Sequence, residues 1–170
     1  MKKLSVTVFA FILSGLVLCL PAGAQSEQPT DQSAQDLLIK SEVETAVSML
    51  GAIYVKCQQG EMTMEQAKKL GADLLRELSY GSDGYFWADT TEGINVAHGA
   101  KKTEEGRQRL EDKDANGVFY IREFMEKAKT GGGYVEYLYT KKGQTEELFK
   151  RAYVLLFEPF GWVVGTGYYR

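Results

Sequence analysis

The chain has 170 residues, 44% of them hydrophobic, with 20 lysines and arginines against 23 acids and a formal charge of −3. That length suits one domain with a proper core. The acidic balance, with no basic patch, excludes nucleic acid and an anionic lipid surface as partners held by charge.

Residues 1–24 read as a secretory signal peptide. Lys2 and Lys3 form the positive start, Leu4 to Leu20 the apolar stretch, and Ala22-Gly23-Ala24 a small-residue cleavage site. The apolar stretch is short for a bilayer span of about 20 residues, so export to the periplasm or medium is expected. The alternative is an uncleaved signal that anchors the chain in the membrane. Cleavage removes two lysines and no acid, so the charge falls to −5. Cys57 is then the one remaining cysteine, which rules out an internal disulfide; the role of a small buried hydrophobe suits it best.

Residues 25–33 are polar and aperiodic, a flexible tether, and 34–170 form the domain. Ile39, Val43, Ala46, Leu50, Ile53 and Cys57 are spaced by fours and threes, which predicts a long helix with one apolar seam ending at Gln59-Gly60. The seam is expected to pack within the chain, leaving a monomer or a weak homodimer through this helix. Thr63 and Gln66 predict a capping box opening a second helix. Its expected buried face is Met64, Ala67, Leu70, Leu74, Leu75 and Leu78.

The period then changes to two. Strands are expected over 85–88 and 94–98, joined by a turn at 89–93. A polar loop follows, then a helix over 118–129 and strands over 134–140, 148–157 and 160–169. Hairpin-linked strands with helices packed on them give an α+β domain with an antiparallel sheet of about five strands.

No catalytic signature is present. His98 is the one histidine, and no serine or cysteine stands in a nucleophile context; the chain is not expected to be an enzyme. The strands carry an aromatic load instead. Tyr85 and Trp87 share one face, and Tyr137 and Tyr139 another, which suits ordinary core and also the lining of a small polar cavity. His98 ends a strand whose inward residues are expected to be Ile94 and Val96. Lys150 stands inside a strand, where a lysine needs solvent or an anion. Alternation puts Lys150 and Tyr153 on opposite faces; a bulge near Arg151-Ala152 would turn both inward.

Residues 112–123 (DKDANGVFYIRE) also fit a calcium loop, with Asp112, Asp114, Asn116 and Glu123 as ligands. The competing reading is that Asp114 and Asn116 cap the following helix. A calcium-binding structural or adhesion module is therefore the alternative function.

YGSDGYFW, NVAHG, KDANG, GGGYVEYLY and FKRAYVLLFEPFGWVVGTGYY, in that order, resemble the single Cache domain, an extracytoplasmic sensor module of bacterial chemoreceptors and sensor histidine kinases. The resemblance implies a PAS-like fold with a long N-terminal helix, a second helix packed on it, and a pocket for a small organic ligand, often a short carboxylate. It implies a pocket lined by Tyr85, Trp87, His98, Tyr137, Lys150 and Tyr153, with Lys150 as the anion partner. Ser79 stands where the family commonly has Arg, and Gly99 where it commonly has Pro. The chain stops at Arg170, where most members continue, so a standalone module reporting to a separate membrane receptor or histidine kinase is expected.

Overall fold

The computed structural model describes residues 31–170; the expected signal peptide and residues 25–30 of the tether lie outside them. Helix α1 spans Asp31–Gln58, so residues 31–33 belong to its first turn rather than to a tether. Ile39, Val43, Ala46, Leu50 and Ile53 are its buried residues, as the seam predicts. Among the described residues no helix is long and apolar enough to cross a membrane.

Helix α2, Met64–Glu77, opens with the expected capping box: Gln66 N donates to Thr63 Oγ1, and Thr63 N donates to the Gln66 side chain. Its buried stripe is narrower than expected. Only Ala67, Gly71 and Leu75 are buried, while Met64, Leu70 and Leu74 stay exposed. The reason is close approach: a Cβ on Gly71 would sit 2.8 Å from Leu50 Cδ2, so the contact with α1 runs through small residues and leaves the flanking leucines outside it.

Short strands β1 (Ser79–Tyr80) and β2 (Gly84–Tyr85) pair as a small hairpin. The main sheet holds β3 (Trp87–Thr90), β4 (Asn95–His98), β5 (Gly133–Thr140), β6 (Glu147–Phe157) and β7 (Trp162–Tyr169). All neighbours are antiparallel, in the order β4-β3-β7-β6-β5. The last strand thus closes against the first hairpin, and β7 lies at the centre. Gly165 makes that closure tight. Trp87 pairs with it across β3 and β7, and a Cβ there would meet the indole at 2.5 Å.

The two faces of the sheet bury different things. Helices α1 and α2 cover one face, over Phe86, Ala88, Phe157, Trp162 and Val164. Helix α3 (Tyr120–Lys129) and the loop before it cover the other, over Tyr85, Trp87, Tyr137 and Tyr139.

Candidate ligand-binding site

Alternation along six strands, β2 to β7, and one bulge assemble the site on the α3 face. The bulge is not at Arg151-Ala152. Pairing of β6 with β5 and β7 runs without a register shift, so Lys150 and Tyr153 keep opposite faces. Tyr153 packs with Ile39 and Val43 of α1, outside the site. The irregularity lies in β4, where Ala88 pairs with Ala97 but Asp89 with Asn95. Val96 and Ala97 both pack on the helix side, and Ile94 is 40% exposed rather than inward. One extra residue re-aims a strand in this way, and here it buries Asn95 beside Asp89.

Lys150 is buried to 1% exposure. Its ammonium lies 4.1 Å from the Tyr85 ring centroid, 4.6 Å from Trp87, 5.0 Å from Tyr169 and 5.5 Å from Tyr139. Its hydrogen bond goes to Tyr85 Oη at 2.5 Å. No acid among the described residues stands within ion-pair distance of it. Burial pushes the Lys150 pKa well below the usual lysine value, with Arg109 and Lys101 adding repulsion.

The proton positions follow from the partners. Tyr169 donates its hydroxyl proton to Thr140 O at 3.1 Å. The 3.2 Å contact between the Tyr85 and Tyr169 hydroxyls therefore has Tyr85 as donor. The chain runs in one direction, from Lys150 through Tyr85 and Tyr169 to a backbone carbonyl. At His98, the amides of Ala100 and Lys101 both donate to Nδ1, at 3.3 and 3.0 Å. The proton must then sit on Nε2, which donates to Tyr139 Oη at 3.3 Å. Burial, followed by Arg109, Lys150 and Lys101, pushes the His98 pKa down to about 2, so the ring is neutral at physiological pH.

Two N–H groups of Lys150, the Tyr139 hydroxyl proton and the buried Trp87 Nε1–H remain without acceptors among the described residues. The box presents unused donors around one cation. Tyr137, the other expected lining residue, is buried beside Tyr139 and stacks on Tyr120 with ring centroids 4.7 Å apart.

A second buried group was not legible as part of the site. Arg109 Nη1 donates to Asp89 Oδ1 at 3.0 Å, and Asn95 Nδ2 donates to the same oxygen at 2.9 Å. Burial raises the Asp89 carboxyl against the pull of Arg109; desolvation opposes the Arg109 charge, but Asp89 outweighs it. Arg109 keeps its charge, since a guanidinium does not deprotonate in proteins, and with the Asn95 amide it donates to the Asp89 carboxylate, which makes an ion pair. Arg109 is thereby compensated, and Lys150 is not.

An open cavity of about 670 Å³ adjoins the box. Tyr85, His98 and Tyr169 line it, together with Lys102, Lys141 and Lys142. Lys150 is not on its wall. The Tyr85 and Tyr169 rings that face the cavity are the ones that enclose the ammonium, which corrects the expectation of a lysine lining the hollow directly.

The 112–123 loop has another occupation. Asp114 Oδ1 accepts from the amides of Asn116 and Val118, both at 2.9 Å, and Oδ2 accepts from Leu138 N at 2.8 Å. Asp112 lies 3.3 Å from Arg107. Among the described residues no group of three or more histidine, cysteine or acidic side chains is placed to hold a metal ion. Asp114 and Asn116 do not cap the helix either: α3 starts at Tyr120, with Phe119 at the cap and no side-chain bond. Asp114 pins the loop to β5 instead.

A central antiparallel sheet, a long N-terminal helix across one face, and a loop and helix across the other make a PAS-like α+β fold. The chain belongs to the single Cache domain 2 family, whose sequence model matches residues 32–170. It is 34% identical over 124 residues to the sensor histidine kinase MctS of Rhizobium johnstonii, covering 73% of this chain and 26% of the kinase. It is 28% identical over 128 residues to the methyl-accepting chemotaxis protein McpP of Pseudomonas putida, covering 75% of this chain and 24% of the receptor. The chain thus spans about a quarter of the length of the curated relatives it matches. Among solved structures, a periplasmic sensor domain of a chemotaxis protein superposes with a TM-score of 0.80 at 28% identity, over 83% of this chain and 99% of that one. A Cache chemosensory domain described for its carboxylic acid recognition superposes with a TM-score of 0.78 at 29% identity, over the same shares.

Proposed function

We propose that this chain is an extracytoplasmic sensor module that binds a short carboxylate against Lys150 and reports its occupancy to a membrane receptor or histidine kinase. The observation that carries the reading is a buried lysine Nζ without an acid partner, beside the unused Tyr139 hydroxyl proton and Trp87 Nε1–H. A carboxylate accepts through both oxygens and donates nothing, so it complements that set. The small apolar remainder of the ligand would lie against Trp87, Tyr137 and Phe124. Entry from the adjoining cavity requires the Tyr85 and Tyr169 hydroxyls to part. Residues 1–24 would direct export and be removed; an intact mass beginning at Gln25 checks this. The long helix, with Leu37, Leu38 and Val55 exposed, is the surface for a weak homodimer.

A ligand of four heavy atoms is limited to about 1.5 kcal/mol per atom, so its Kd is about 10⁻⁵ M at best. Thermal-shift screening therefore extends to millimolar acid. At 100 times Kd the fold gains about 2.7 kcal/mol, a rise in Tm of about 5–10 °C. Short carboxylates should give this shift and the matching amides should not. Lys150→Met should abolish it while leaving the protein folded. A flat response across the acids overturns the reading.

A further inference from the structure

Lys150 has no acid partner in the box, and its surroundings oppose a charge on it. Groups from every packed element face it. Tyr85 of β2, Tyr139 of β5 and Tyr169 of β7 turn their rings toward its Nζ, and those π faces favour the ammonium. His98 of β4 is neutral and adds no charge. Arg109 and Lys101, from the loop after β4, repel a positive charge there, while the acid that acts on it, Asp83, is half-exposed and already paired with Lys141 at 2.6 Å. The burial of Lys150, 1% exposed, disfavours the charge further.

We infer that the site takes in its anion together with a proton, so that the species bound is, in net composition, the undissociated acid. The inference rests on the carboxylate reading above. The step is balanced simply. A proton from solvent joins the Nζ lone pair, no covalent bond of the ligand changes, and the carboxylate meets a full ammonium. Nearness of an anion always strengthens proton binding by the lysine, so the sign of the linkage is fixed. Between the proton affinities of the empty and the occupied lysine, apparent affinity falls as pH rises, by about tenfold per pH unit at most. Such a sensor counts acid rather than carboxylate, and it responds more strongly in an acidified medium at equal total ligand.

Calorimetric titration of the whole protein with acetate and propionate tests this. Titrations run at pH 7, 7.5 and 8 in both phosphate and Tris, whose ionisation heats differ, and are extended to pH 6 in phosphate and to pH 9 in Tris for the affinity alone. The expected result is a binding heat that differs between the buffers by the uptake of up to one proton, with affinity declining toward pH 9. Lys150→Arg supplies the control, because a guanidinium stays charged throughout. It should bind with the same heat in both buffers and a flat pH profile. Equal heats in both buffers for the native protein, with binding intact at every pH, overturn the inference and leave the carboxylate reading standing. No heat with either acid at any pH overturns both. Should the arginine variant not fold, the buffer comparison on the native protein decides alone.

Discussion

The two faces of the sheet follow opposite rules. Toward α1 and α2 the interior is largely apolar, with Leu50, Leu75, Ala88 and Val164 fully buried and the buried hydroxyl of Thr166 there paired with Tyr80. Toward α3 it holds Lys150, Arg109, Asp89, Asn95 and His98, all at 2% exposure or less. All four buried side-chain polar atoms without partners among the described residues, Trp87 Nε1, Asp89 Oδ2, Asn95 Oδ1 and Arg109 Nε, lie on this second face. Each such group costs about 1–3 kcal/mol. One face supplies cohesion; the other keeps charge and unpaired donors and acceptors out of water at a cost in stability.

Substitutions separate the two rules. The largest effect is expected from Asp89→Ala, which strands the buried Arg109 guanidinium and should cost about 3–5 kcal/mol. Chemical denaturation reads it, and a loss under 1 kcal/mol would mean that Glu104 and Asp112, at 3.7 and 3.6 Å, already suffice. Leu50→Ala, on the apolar face, should cost about 2–5 kcal/mol by cavity formation and leave carboxylate affinity unchanged. A loss of affinity in that variant would show that the faces are not independent.

Acid should act on the site face. His98 resists protonation when folded but titrates near 6.5 when unfolded. The unfolded chain therefore takes up the extra proton, and stability falls as pH drops below about 6.5, by on the order of 1 kcal/mol per pH unit. His98→Asn, whose amide can accept from the loop and donate to Tyr139, should flatten Tm between pH 4 and 6.5. A native profile in that variant would assign the acid loss elsewhere. The smallest effect belongs to Thr63→Ala on the apolar side, about 1 kcal/mol from the lost cap, readable as a small drop in Tm with no change in ligand response.

The box was partly legible in the sequence. Tyr85, Trp87 and Tyr137 follow from period two once the strands are placed, and a lysine within a strand marks itself. Tyr153 falls outside the box because pairing through β6 is regular and leaves its ring on the α1 face. Arg109 gave no signal: it sits in a run of charged residues, where its neighbours Arg107 and Glu111 are solvated and it alone turns inward. Asp89 and Asn95 read as ordinary turn and strand-end residues.

Local periodicity by itself determined where the main helices and strands run and, outside the β4 bulge, the face that strand residues take, because those depend on neighbours three, four or two positions away. Tertiary structure alone decided which of the polar residues meet. Asp89 and Arg109 are 20 positions apart, and Tyr85 and Lys150 are 65. Their encounter depends on the central place of β7 and on a one-residue slip in β4, and whether a charge finds a partner or stays single is set by that packing, which no short-range pattern encodes.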